Sequence, residues 1–329
     1  MKKLARRQFF RVGAGAFAGL AMARGARAET YPTRPVRFVH GFGAGGSGDI
    51  AARFIAQLLS DRLGQQFVVE NRTGAGGNLA VEAVTRAPAD GYTLLQLNVA
   101  NTINTALYEK LSFNLLTDIL PVASFMRVPN VMEVTPSLPV KTVPEFIAYA
   151  KANPGKISYA SSGVGSSLHM SGELFKTLAN VEMTHVPYRG IGAGGLADLM
   201  TGVVHVAFDN LPSSIELIRS GKVRALAVTT TARSELMPEL PTIAEFLPGY
   251  EASAWFGVGA PKGTPLEIVE KVNQALNAAF ADARTKARIA ELGGTPLPGS
   301  PADFGRMIAA EIEKWSKVVE LSGTKIKAE

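Results

Sequence analysis

The sequence predicts an α/β fold in two lobes joined by two chain crossings, and three observations lead to it. Short apolar runs alternate with longer stretches of helical period, the cadence of a parallel sheet flanked by helices. That cadence runs once up to residue 107 and again beyond residue 130. At 329 residues the chain also exceeds what one hydrophobic core usually organises, so two cores are expected.

Taken in order, VRFVH (36–40) precedes a helix over 49–63, QFVVE (66–70) a helix over 77–86, and YTLLQL (92–97) a helix over 102–107. The second set runs VMEVTP (131–136), helix 143–152, ISYAS (157–161), helix 167–178, EMTHVPY (182–188), helix 195–201, VHVAFD (204–209) and RALAVTT (224–230). After a proline-rich segment and ASAWFGVGAP (252–261) come amphipathic helices over 265–292 and 301–321, with no strand pair of their own. They are expected to pack back on the first sheet. The chain then crosses near 127–131 and returns near 250–254, which gives lobe 1 as residues 29–129 plus 253–329 and lobe 2 as 130–252. A cleft between two such lobes is a natural ligand site.

Residues 1–28 stand apart from this pattern. They have a basic start, a short apolar stretch over 12–23 and an A-x-A ending at Ala28, and read as a cleavable export signal with cleavage after Ala28. Arg6-Arg7 followed by Gln8-Phe9-Phe10 resembles a twin-arginine motif; a general secretory signal is the alternative. The apolar stretch is too short for a membrane span, which needs roughly 20 residues. Seven of the 34 Lys and Arg lie in this leader with no acid, leaving 27 against 28 Asp and Glu. The mature chain is therefore nearly neutral and lacks the basic footprint of a nucleic-acid binder. With no cysteine, disulfides, thiol nucleophiles and a lipid-tethered cysteine are excluded. His40, His169, His185 and His205 have no metal-like spacing, and no G-x-S-x-G elbow presents a nucleophile.

The chemistry concentrates in glycine turns that feed helices. Such a turn offers unpaired backbone N–H groups and the positive end of the helix dipole, which together attract an anion. One lies at Phe42 to Asp49, and a second at Ser158 to Phe175 in the other half of the chain. A third, NRTGAGGNLA, carries Gly77 and Asn78 at the start of the next helix. The turn Gly41-Phe42-Gly43-Ala44-Gly45-Gly46 satisfies G-x-G-x-x-G, and Glu70 closes the following strand, so an exported NAD(P)-dependent oxidoreductase is one reading. Against it, Asp49 in the first helical turn would face a pyrophosphate of like charge. The other reading is a small carboxylate shared by two opposed turns. Asp209, ending its strand, and Tyr188 either line the cleft or serve as a helix cap and a plug. Arg53, Arg72 and Arg189 are candidate cations for a second acid group, each with a surface or structural role as the alternative.

YPTRPVRFVHGFGAGGSGDIAAR, VVENRTGAGGNLA, ADGYTLL, SSGVGSSLHMSGELF, THVPYRG, AFDNLPSS and GKVRALAVT together resemble the Bug family, or TctC-like proteins, the extracytoplasmic solute receptors of tripartite tricarboxylate transporters. The resemblance spans nearly the whole mature chain. It implies a two-lobed periplasmic binding protein fold with a central ligand cleft, a periplasmic location, no enzymatic activity, no cofactor and no metal. It also implies a small carboxylate ligand, membrane permease subunits as partners, and a monomer. Carried over by position, the ligand-binding set is Phe42, Gly43, Ala44, Gly45, Gly46, Ser47 and Asp49 in the first loop and Ser161, Ser162, Gly163, Gly165, Ser166, Ser167 and His169 in the second. Asp209 joins them, and Gly77, Asn78 and Tyr188 complete the set. The family usually places prolines before Gly45-Gly46; here Gly41, Gly43 and Ala44 stand there, which predicts a more flexible loop.

Overall fold

A computed structural model describes residues 31–326. The expected export signal, with its arginine pair and proposed cleavage site, lies outside the described residues.

The first lobe opens with β1 (Val36–His40), α1 (Ser47–Leu63), β2 (Phe67–Asn71), α2 (Asn78–Thr85), β3 (Thr93–Asn98), α3 (Val99–Leu107) and the short α4 (Leu115–Asp118). β1 lies between β2 and β3 and runs parallel to both. On α1 the buried residues Ala51, Ala52, Ile55, Ala56 and Leu59 recur at helical spacing and form the face that covers the sheet. Each fully buried Ile or Leu there contributes about 1.5–3 kcal/mol relative to exposure. α1 closes at Gly64, whose N–H donates to the Ser60 carbonyl.

β4 (Ile119–Val134) is a 16-residue strand that begins well before the run VMEVTP. At about 3.3 Å per residue it spans roughly 50 Å, enough to serve both lobes. From Ile119 to Pro129 it pairs antiparallel with β9 (Ser253–Pro261). From Asn130 to Val134 its partners become β7 (Val206–Asn210) and β8 (Arg224–Val228). The interruptions of PVASFMRVPN by proline, serine and arginine hide this strand from a periodicity reading, and two register shifts at Pro121/Ala123 and Ser124/Met126 mark the same irregularity. The return crossing lies alongside: Ala252 donates its N–H to the Thr229 carbonyl in lobe 2, while Ser253 already pairs with Pro129.

Lobe 2 repeats the parallel motif with α5 (Val143–Ala152), β5 (Ser158–Ser161), α6 (Ser167–Ala179), β6 (Thr184–Pro187), α7 (Leu196–Thr201), β7, α8 (Leu211–Arg219) and β8. β5 runs parallel to both β6 and β7. The strand path is β2-β1-β3-β9-β4-β7-β5-β6, with β8 and β10 (Thr295–Pro296) pairing on β4. The sheet is thus mixed, because the crossing strands β4 and β9 are antiparallel. β10 also corrects the expectation that the C-terminal region adds no strand.

The helix expected over 265–292 is two, α9 (Leu266–Ala279) and α10 (Ala283–Glu291), because Asp282 caps the second by accepting the Arg284 N–H at 2.8 Å. α11 (Pro301–Ser322) starts on a capping box of Ser300 and Asp303. It packs mainly on α3 and β4 of the first lobe and also reaches α6. Its buried Trp315 donates Nε1–H to Glu311 at 2.9 Å. Phe304, near its start, meets Trp255 of β9 edge-on at 5.6 Å.

Candidate functional site

Both glycine turns sit at the C-terminal ends of parallel strands, where an α/β sheet exposes its helix N-termini. The first leaves β1 at His40 and enters α1 at Ser47. Gly41 is obligatory by contact: a Cβ there would lie 2.8 Å from Gly77 Cα. Gly45 adopts φ +84°, a conformation that favours glycine. Asp49 folds back under the loop, accepting the Gly45 N–H at 3.0 Å, the Asn71 amide at 2.8 Å and Arg53 Nε at 2.9 Å. Its side chain is only 4% exposed. Burial pushes that carboxyl up, but the Arg53, Gly45 and Asn71 hydrogen bonds outweigh it and hold the group below its usual range. Asp49 is therefore an internal anchor of the loop. Among the described residues no side chain caps α1, which leaves the N–H groups of its first turn without acceptors there.

The second turn is held without charge. Ser166 Oγ donates to the Gly163 carbonyl at 2.7 Å and accepts the His169 N–H at 3.2 Å. Ser161 Oγ meets His185 Nε2 at 2.7 Å and accepts the Gly163 N–H at 3.1 Å. His169 accepts the Gly165 N–H on Nδ1 at 3.3 Å and stacks on His185 with ring centroids 4.2 Å apart. Burial lowers His169 to about 4. Burial, followed by the neighbouring His169, lowers His185 to about 3. Both rings are neutral at pH 7. Gly165 abuts the other lobe: a Cβ there would lie 2.3 Å from Asn104 Oδ1 on α3.

Between the turns lies a cleft of about 410 Å³. Of the expected residues, Phe42, Gly43, Ala44, Gly45, Gly46, Ser47 and Asp49 line it from lobe 1, and Ser162, Ser166, Ser167 and Asp209 from lobe 2. The remaining seven stand behind this wall. Gly77 packs under Gly41 and Phe42, and Asn78 accepts from Asn104 Nδ2 at 2.8 Å. Ser161, Gly163, Gly165 and His169 build the second turn from within. Tyr188 donates its hydroxyl to Asp198 at 2.5 Å.

The cleft wall also contains residues that the sequence did not single out as ligand-binding. Asn98, Val99 and Ala100 bring in the start of α3, and Asn210, Pro212 and Ser213 the start of α8. The helix over 102–107 begins three residues earlier than expected, at Val99, because Asn98 and Asn101 form a reciprocal cap. That Asn-x-x-Asn spacing was the available signal. His40 sits at the cleft floor, with burial lowering it to about 4. Phe256, Ile50, Leu168, Ile191 and Leu196 give the cavity an apolar body. Arg189 lines it as an exposed cation with no ion pair among the described residues. Arg53, by contrast, is committed to Asp49. The lobes touch across the mouth, where Ser47 Oγ and Ser213 Oγ lie 2.6 Å apart.

The pieces of the dinucleotide fingerprint are used otherwise. Asp49 occupies the Gly45 N–H, and Glu70, the acid that closes β2 in that fingerprint, pairs with Arg37 at 2.7 Å on the surface. Among the described residues, no group of three or more His, Asp or Glu is placed to hold a metal ion.

Comparison with known proteins identifies the architecture. The TctC family, described as the Tripartite tricarboxylate transporter family receptor, matches residues 51–324. The chain is 38% identical to Protein BugT of Bordetella pertussis over 303 residues, 91% of this chain and 93% of that protein. Among solved structures it is similar to R. palustris Rpa4515 with adipate, at 44% identity and a TM-score of 0.85 over 89% of this chain and 98% of that one. It is likewise similar to MatC from Rhodopseudomonas palustris with bound malate, at 32% identity and a TM-score of 0.82 over 88% and 100% of the two chains. The oxidoreductase reading is overturned by these relatives: the six-residue match to G-x-G-x-x-G is coincidental. The chain belongs to the TctC family of receptors, which includes the Bug proteins and consists of periplasmic solute-binding proteins rather than enzymes.

Proposed function

We propose that this protein is an extracytoplasmic receptor for a small dicarboxylate, which it delivers to a tripartite tricarboxylate-type membrane transporter. The single observation that carries the reading is the cleft itself: three helix N-termini at its polar end, α1 and α8 without side-chain caps among the described residues, an apolar body, and one uncommitted cation, Arg189. One carboxylate takes the main-chain N–H groups at the starts of α1, α6 and α8, where the helix dipoles favour negative charge. The aliphatic chain lies against Phe256, Ile50 and Leu168, and the second carboxylate faces Arg189. Adipate in Rpa4515 and malate in MatC are ligands of this chemical class.

Closure follows from the same contacts. Residues 31–129 with 253–326 form one body and 130–252 the other, and they rotate about Pro129–Asn130 and Ala252–Ser253. A bound carboxylate touches both bodies only when they are together, so it stabilises the closed form by its differential affinity. The closed surface is what a permease reads, and residues 1–28 direct export to the periplasm. Isothermal titration of the mature protein against adipate, malate, succinate and hexanoate tests the reading. Saturable binding of dicarboxylates is expected, with hexanoate weaker by roughly tenfold for loss of the Arg189 partner; no response to any of these acids contradicts it.

A further inference from the structure

Lobe 2 places two carboxyl groups in its interior beside the cleft. Glu133 of β4 and Asp209 of β7 lie on the same face of the sheet, since Val131 pairs with Asp209 and Glu133 with Ala207. Glu133 is 0% exposed and Asp209 1%. Among the described residues both oxygens of Glu133 and Oδ2 of Asp209 have no hydrogen-bond partner within bonding geometry, while Asp209 Oδ1 accepts the Asn210 N–H at 2.7 Å. Ser214 of α8, also buried, sits at the pair with its hydroxyl free to serve either acid. Asp209 is also part of the cleft wall.

Among the described residues no cation compensates these acids. On β8, Arg224 donates to the carbonyls of Leu138, Val140 and Pro136. On α8, Arg219 pairs with Glu216 at the surface, and on α7, Asp198 holds the Tyr188 hydroxyl. Across the cleft, Asp49 is tied to Arg53, His40 is a neutral ring, and Arg189 is the exposed cation of the wall. Three buried acceptor-only oxygens with only the Ser213 and Ser214 hydroxyls within reach are short of donors, and a carboxylic acid proton supplies a further one. Burial raises Asp209 to about 7, and burial together with the Asp209 charge raises Glu133 well above its ordinary range.

We propose that Glu133 and Asp209 form a proton-binding site linked to ligand loading: Glu133 stays protonated, and Asp209 takes one proton from solvent when a carboxylate enters the cleft. The arriving anion disfavours a second negative charge on the wall, so the neutral form of Asp209 is selected, and its O–H becomes a donor within the wall. By linkage the same proton strengthens binding. Affinity for an ionised dicarboxylate therefore rises as pH falls from 8.5 to 6, by roughly tenfold for a one-unit shift of the site. The proposal rests on the carboxylate reading of the cleft.

Two measurements on the mature protein test it. Carboxyl-carbon NMR on Asp/Glu-labelled protein, without ligand, is expected to show Glu133 and Asp209 titrating above pH 6. Glu133→Gln, which keeps the shape and a donor, is expected to leave one such transition, at Asp209. No carboxyl titrating above pH 6 overturns the proton site. Titration calorimetry with adipate at pH 7.5, in two buffers of different ionisation enthalpy, is expected to show net proton uptake. Asp209→Asn, which keeps the acceptor for Asn210, is expected to take up none. Heat without proton uptake overturns the linkage alone. No heat with adipate or the other acids overturns the receptor reading and the linkage together, while the ligand-free titration still decides the proton site.

Discussion

The two glycine turns present backbone N–H groups to one cleft, yet they are held by opposite means. The first is anchored by a charged carboxylate, Asp49, gripped by Arg53, Asn71 and the Gly45 N–H. The second is anchored by neutral groups, the Ser161 and Ser166 hydroxyls and the stacked His169 and His185 rings. An N–H nest needs only a rigid support, and either chemistry provides one. They differ in what breaks them: loss of charge for the first, gain of charge for the second.

The largest effect is expected from Asp49→Ala. It leaves the Gly45 N–H without its acceptor, takes one of two acceptors from the Asn71 amide, which keeps the Phe42 carbonyl, and frees the half-exposed Arg53, at a cost of about 1–3 kcal/mol. Chemical denaturation reads the stability, and titration with adipate should show affinity falling by at least tenfold. Wild-type stability and affinity in this variant would show that the loop holds itself without its anchor.

Acid separates the two supports next. His169 and His185 have folded values below their unfolded one, so the folded state resists protons that the unfolded chain accepts. Stability is complete above about 6.5 and is lost as pH falls towards about 4 and about 3. His40, at the foot of the first turn, loses stability over the window down to about 4. Asp49 is depressed, so its contribution persists through that window and is lost only as pH falls through a value below 3.8. Between pH 7 and pH 5 these rings pull the unfolding free energy down while protonation of Asp209 and Glu133 pulls it up, so the share of one ring, about 1–3 kcal/mol, is read as the difference between wild type and His169→Gln over that range. Amide exchange is expected to accelerate at Gly163 and Gly165 before Gly45, and a pH dependence identical in the two proteins contradicts the neutral-ring account.

Ser166→Ala is a smaller perturbation. It removes the cap of α6 and is expected to cost about 1 kcal/mol in denaturation experiments. Ser47→Ala is expected to be smaller still, within about 0.5–1 kcal/mol. Because Ser47 meets Ser213 across the mouth, its effect belongs in faster ligand release, which stopped-flow fluorescence can resolve, rather than in stability.

The contrast also explains what the sequence could and could not reveal. Strand–turn–helix units were legible because apolar runs and glycines are local signals, so both turns and the positions of Ser47, Ser166 and Ser167 in them were found. Asp49 was visible as an acid in a first helical turn, but its grip on Asn71 joins residues 22 apart and is a tertiary fact. β4 was half missed because it serves two lobes, and a strand interrupted by Pro121, Pro129 and Arg127 shows no clean alternation. The starts of α3 and α8 entered the cleft unannounced because neither is preceded by a glycine turn. Glu133 looked like one polar residue within an apolar run, and nothing local places it beside Asp209, 76 residues later in the chain.

The account turns on main-chain N–H groups, rather than charged side chains, as the primary hold on the ligand. A crystal structure of residues 29–329 soaked with adipate measures this directly. The account predicts one carboxylate within hydrogen-bond distance of first-turn N–H groups of α1 in one lobe and of α6 or α8 in the other. An adipate whose carboxylates both sit on side chains, with those N–H groups facing water, would contradict it.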